Sequence, residues 1–240
     1  MKQENWYDVD TARGGDFSLS NAFPILMRKV FVWMTLALAI TGITAYGVAS
    51  SPALVGMIFS SKVMFWGLII AEFGLVMAIS GAINRLSLAT ATLLFILYSV
   101  VNGATLSVIF LAYSTTVIAK TFFITAGTFG AMALVGYTTK TDLTSIGKLL
   151  FMALIGIIIA SVVNIFVGSS GLDLIISYVG VLVFVGLTAY DTQKIKEMCR
   201  MAPDAGESMQ KLALLGSLSL YLDFINLFLY LLRIFGNNKD

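Results

Sequence analysis

Residues 212–232 read LALLGSLSLYLDFINLFLYLL, an apolar run broken by a single charged residue, Asp223. As a helix rising 1.5 Å per residue it is about 30 Å long, the thickness of a bilayer's hydrocarbon core. Working outward, six more apolar stretches of similar length precede it: about Val30–Ser50, Val63–Ile83, Leu88–Tyr113, Val117–Tyr137, Ile146–Val167 and Leu174–Lys194. Ser51-Pro52 stops the first. Backbone amides in lipid must be satisfied internally, and runs this long with so few charges do that as helices. The expected fold is an all-α integral membrane protein with seven transmembrane helices. Residues 25–236 would form one seven-helix domain, between a polar N-terminal tail, 1–24, and a short C-terminal tail, 237–240.

Composition agrees. Of 240 residues 58% are hydrophobic and 12% charged, about half the charge of a soluble domain, so the bilayer is the natural solvent. A net charge of +2 with no basic run argues against nucleic acid as a partner. One cysteine, Cys199, forms no internal disulfide or thiolate cluster, and histidine is absent. That removes His-ligated zinc and Ser-His catalysis, and it leaves carboxylates as the proton sensors. No cofactor is expected.

Basic residues orient the chain. With the N-terminus cytoplasmic, that side holds Lys2, Arg13, Arg28, Lys29, Arg85, Lys140, Lys148, Lys194, Lys196, Arg200 and Lys211, and the far side only Lys62, Lys120, Arg233 and Lys239. An N-in topology follows, and the C-terminus lies outside unless the last stretch re-enters. The only long loop, about Ile195–Lys211, carries charge and Pro203.

An ionisable side chain at mid-span costs roughly 2.5–3.5 kcal/mol on insertion scales and marks a functional candidate. Asp223 is the sharpest, with Ser219, Asn226 and Tyr230 on its helical face. Asp191 ends the sixth span, beside Tyr190 and three residues before Lys194, where an ordinary local ion pair is an equal reading. Glu72 sits mid-span in IAEFG, as a structural hydrogen-bonding group or a path lining. Asn102 and Asn164 read as amides that hold helices together. Arg85 reads as an interfacial anchor that shares its side of the membrane with Asp191.

Two segments, 186–196 (GLTAYDTQKIK) and 219–236 (SLYLDFINLFLYLLRIFG), together resemble the end of a Bax inhibitor-1 (transmembrane Bax inhibitor motif) family protein. Residues 97–107 (LYSVVNGATLS) and 71–74 (AEFG) resemble the family as well, and the short N-terminal tail resembles its bacterial members. The resemblance implies six helices wrapped in two layers around a central C-terminal helix. It implies a pH-sensitive calcium leak across a bacterial inner membrane, gated by two aspartates matching Asp191 and Asp223 that share a proton and would be the ligands for calcium. It also implies an arginine latch, for which Arg85 is the nearest match. Path-lining candidates are Glu72, Asn226, Ser219, Tyr190 and Tyr230. Two carboxylates within hydrogen-bond reach resist ionising together, which supplies a proton sensor without histidine. Oxygen ligands suit a hard cation such as calcium.

Depth poses a condition. Counted from the flanking lysines, Asp191 lies about 4–5 Å deep and Asp223 about 18 Å. They are expected to meet only if the seventh helix starts late, near Gly216, or if a water-filled cytoplasmic vestibule drops between the helices. Rival functions are a non-conducting regulator that binds membrane-protein partners such as a membrane protease and, less favoured, an intramembrane aspartyl protease. Against the protease, Tyr221-Leu-Asp223 stands where Gly-x-Gly-Asp is required. Gly168-Ser-Ser-Gly171 is not a serine nucleophile motif. The chain is therefore not expected to be an enzyme.

Overall fold

The computed structural model describes residues 6–200 and 206–236, with the side chains of 24–198 and 206–236. The expected tail 237–240, Pro203 and the Cys199 side chain lie outside the described residues. The described chain is helical: α1 (Trp6–Ala49), α2 (Pro52–Phe59), α3 (Lys62–Ala82), α4 (Leu88–Leu106), α5 (Val108–Ala112), α6 (Thr115–Thr138), α7 (Thr144–Val167), α8 (Ser170–Arg200) and α9 (Glu207–Gly236). Seven segments are long and apolar enough to cross a bilayer, each within a few residues of its expected place. The backbone of α1 is already helical from Trp6, ahead of the span that begins at Pro24.

Serines start several of the helices. Ser51, Ser61, Ser87 and Ser114 each accept a hydrogen bond from the backbone N–H three residues on, which satisfies an amide the first turn leaves free. The first of these caps opens α2, a short helix between spans one and two that hydropathy did not separate. Span three is interrupted at Ser107, whose hydroxyl and N–H both turn back to the Ala104 carbonyl. Gly168 closes α7 in the left-handed region, φ +66°, where a glycine has no Cβ to clash.

α9 occupies the centre. Two thirds of its spanning window (67%) is buried, against 6% for α3 and for α7. It packs on α8, α1, α6 and α4, while α3 lies outside on α4 and α7 outside on α8. Four helices thus line the central one and two form an outer layer. The outer helices turn Val63, Phe73, Ile165 and Phe166 outward, an apolar surface that lipid covers. α9 is unbroken to Gly236, which lies against the Tyr113 ring at the end of the bundle opposite Arg85. The re-entrant alternative for the last stretch is therefore corrected to a full crossing.

Candidate functional site

The two aspartates lie in the interface between α8 and α9. Ser219 of α9 lies beside the Asp191 carboxylate of α8. On one side of that contact Gly216 meets Ile195, and on the other Gly180 meets the Tyr230 ring. Residue numbers rise along one helix as they fall along the other, the register of an antiparallel pair. Asp223, four residues beyond Ser219, is therefore about 6 Å further along the interface than Asp191. Asp191 is the charged neighbour that acts electrostatically on Asp223. Asp223 is buried, 5% exposed, and its Oδ2 has no hydrogen-bond partner.

This meeting needs no late start. α9 begins at Glu207 and runs through Gly216 without a break, so that expectation is corrected. The reason lies in α8, which continues nine residues past Asp191 to Arg200. Lys194 is an exposed side chain part-way along a helix, so it does not mark where the interior begins, and depths counted from it are too small. Lys194 acts on Asp191 through space.

The polar stripe on α9 faces α8. Ser219 lies beside Asp191, and Tyr230 stacks on Phe184 with ring centres 5.9 Å apart. Asn226 spends its amide on its own helix, donating to the Leu222 carbonyl at 2.8 Å. Beyond Asp223, toward the far end, aromatic rings pack between α6 and α9, with Phe122 on the exposed side of the cluster. Phe224 meets Phe122 and Phe129 edge-on at 5.4 and 5.5 Å, and Phe228 meets Phe122 at 6.4 Å.

Other candidates are placed elsewhere. Tyr190 points away from α9, its ring packed on Gly147 of α7. It lines a polar cavity of about 570 Å³ with Asp142, Gln193, Lys194 and Lys196. Gln193 ties down the loop there, donating to the Thr141 carbonyl and accepting from the Leu143 N–H, both at 2.8 Å. Asp142 accepts from the Thr144 N–H at 2.8 Å, and the hydrogen bonds from Thr144 hold its carboxyl below the usual range. Arg85 is exposed in the turn after α3 and makes no ion pair with Asp191, so the structure does not bring the expected latch to the pair. Glu72 on α3 is likewise remote from Asp191. Its Oε2 accepts from Asn102 of α4 at 3.3 Å. Asn102 in turn accepts from the hydroxyl of Tyr221 on α9 at 2.8 Å. Tyr221 and Thr41 were missed by sequence reading, although Tyr221 stands two residues from Asp223.

Among the described residues no group of three or more Asp, Glu, His or Cys could hold a metal ion. Two carboxylates and nearby hydroxyl or amide oxygens are the donors a calcium ion would find at Asp191 and Asp223, fewer than the six to eight of a storage site.

Comparison with known proteins agrees with this architecture. The family described as "Inhibitor of apoptosis-promoting Bax1" matches residues 24–240. The inner membrane protein YbhL of Escherichia coli (strain K12) is 51% identical over 214 residues, covering 89% of this chain and 92% of that protein. An uncharacterized protein of Borreliella burgdorferi is 51% identical with the same coverage. One from Rickettsia prowazekii is 45% identical over 216 residues, covering 89% of this chain and 90% of the relative. With seven spans, the C-terminal one at the centre, and a match over nearly the whole chain, this integral membrane protein belongs to the Bax inhibitor family.

Proposed function

We propose that this protein is a pH-sensitive leak for calcium across the bacterial inner membrane, gated by protonation of the Asp191–Asp223 pair. The observation that carries the reading is Asp223 itself. It is a buried carboxyl with one oxygen unpartnered, about one helical turn from a second carboxyl across the same interface. Such a pair holds one proton between its members more readily than it ionises twice. While one of the two carries a proton, α8 and α9 stay packed together. When the proton leaves, two like charges face each other in a low dielectric. Their repulsion pushes the helices apart, and a divalent cation is the ion best able to neutralise both. With only two carboxylates the cation is held loosely enough to move on. An N-in orientation puts the pair nearer the cytoplasm, in keeping with the basic-residue bias, and the name of the Escherichia coli relative favours the inner membrane.

The test is calcium flux into liposomes holding a trapped indicator, read between about pH 6 and 8. Wild type is expected to pass calcium with a pH-dependent rate, and Asp223→Asn or Asp191→Asn to abolish that dependence. A pH-dependent flux unchanged in both variants would sink the paired-carboxylate gate. No flux above empty liposomes, from folded protein, would favour a regulator that acts by binding membrane-protein partners.

A further inference from the structure

A second polar device crosses the bundle on the side away from Asp191. Four links join Glu72 on α3 to α4, α9 and α1. Asn102 Nδ2 lies 3.3 Å from Glu72 Oε2, and the Tyr221 hydroxyl lies 2.8 Å from Asn102 Oδ1. Thr41 Oγ1 lies 2.7 Å from the Tyr221 oxygen, and it is 3.0 Å from the Ser99 carbonyl. Tyr221, Asn102, Thr41 and Ser99 are all buried. Glu72 Oε1 is buried without a hydrogen-bond partner, beside the Thr105 hydroxyl of α4, which donates to the Val101 carbonyl instead.

Counting hydrogens decides what this chain can do. Tyr221 and Thr41 have one hydroxyl hydrogen each, and the Asn102 amide must offer its nitrogen to one side and its oxygen to the other. With Glu72 ionised, Asn102 donates to Glu72 and Tyr221 donates to Asn102. Thr41 then has one hydrogen for two acceptors, the Ser99 carbonyl and the Tyr221 oxygen, so one of those two links is left without a hydrogen. With Glu72 protonated and the amide turned half a revolution, the order reverses. Glu72 donates to Asn102 Oδ1, Asn102 Nδ2 to Tyr221, Tyr221 to Thr41, and Thr41 to the Ser99 carbonyl. Every link is now served. Amide nitrogen and oxygen are nearly isosteric, so both arrangements fit the same frame.

We propose that Glu72 is a proton-binding site of its own, separate from the Asp191–Asp223 pair, whose occupancy sets the direction of the hydrogen-bond chain that ties α9 to α4 and α1. The groups facing it favour this role. α3 packs on α2 and α4. α2 has no titratable residue, and α4 contributes only Tyr98, whose ring lies 5.6 Å from that of Tyr221. Tyr221 is the titratable group that α9 brings, and α1 brings the neutral Thr41. The basic residues near α3, Lys62 and Arg85, stand ten and thirteen residues from Glu72, about 15 and 20 Å along a helix. No described cation holds the carboxyl ionised. The proton exchanges with water, and the chain passes on its orientation without any bond to carbon being made or broken. Tyr221 is then a positioning residue for the central helix.

Infrared difference spectra of the lipid-reconstituted protein, recorded across pH, test this directly. A protonated-carboxyl band is expected at neutral pH, retained in D191N/D223N and lost in E72Q, whose amide mimics the protonated arrangement. Y221F keeps the ring but cuts the chain, and is expected to change the band frequency and move its titration midpoint by about one pH unit, the worth of one hydrogen bond. Loss of the band in D191N/D223N would overturn the proposal, as would a Y221F spectrum and midpoint identical to wild type. These two readouts decide even if E72Q does not fold.

Discussion

Gly103→Ala tests the central packing quantitatively. A Cβ at Gly103 would lie 2.6 Å from the Thr41 carbonyl oxygen and 2.8 Å from Thr44 Cβ. An ordinary carbon–oxygen contact is nearer 3.4 Å, so α1 and α4 must part by roughly 0.8 Å, an overpacking that costs about 1–3 kcal/mol. Helix propensity works the other way, favouring alanine over glycine by about 0.5–1 kcal/mol. Gly42→Ala isolates that second effect, because nothing lies within 4 Å of a Cβ at Gly42, one residue from Thr41 on the same helix. The difference between the two variants is therefore the overpacking, about 2 kcal/mol, or roughly 4–8 °C in Tm for a chain of this size. Thermal unfolding in detergent measures it. Gly42→Ala is expected at or slightly above wild type and Gly103→Ala several degrees below. The same displacement stretches the 2.7 Å Thr41–Tyr221 link toward the limit of a hydrogen bond. Equal Tm values for the two variants would refute the close approach of α1 to α4.

Three further outcomes follow from the geometry. Arg85→Ala, at an exposed turn without an ion pair to Asp191, should stay within about 0.5 kcal/mol of wild-type stability and keep its flux–pH curve; a displaced curve would restore the arginine as a partner of the pair. The Asp173–Arg233 ion pair, 3.1 Å long with both side chains more than two fifths exposed, should contribute no more than about 1 kcal/mol, so Asp173→Asn should lower Tm only slightly and less still in high salt. The Asp142 carboxyl is held below its usual range by Thr144. Its contribution is therefore present above the unfolded-state value and is lost as pH falls through the folded one. Asp142→Ala should unfold earlier than wild type at neutral pH and together with it in acid, and a gap that widens in acid would contradict this assignment.

The sequence by itself determined the seven spans, because length, apolarity and scarcity of charge dictate helices in lipid whatever their arrangement. It also singled out Asp223 and Asp191, since a charge kept in an apolar run stands out one residue at a time. Arrangement was not legible in the same way. In a bilayer the buried and lipid-facing sides of a helix are both apolar, so the pattern along α3 or α7 does not say which neighbour it packs on or that it lies outside. Only the tertiary structure decided the antiparallel register that sets Ser219 against Asp191, the extension of α8 to Arg200, and the placing of Arg85 away from the pair. Glycines 103, 136 and 147 sit at close approaches, but nothing in the sequence sets them apart from Gly42, Gly74 or Gly156, where a Cβ would meet nothing within 4 Å. That they meet Thr41, the Ala189 carbonyl and the Tyr190 ring depends on partners tens of residues away. The chain from Glu72 to Thr41 spans four helices and was invisible for the same reason. Hydrogen bonds between distant residues leave no local period, and they exist only once packing has set their donors and acceptors face to face.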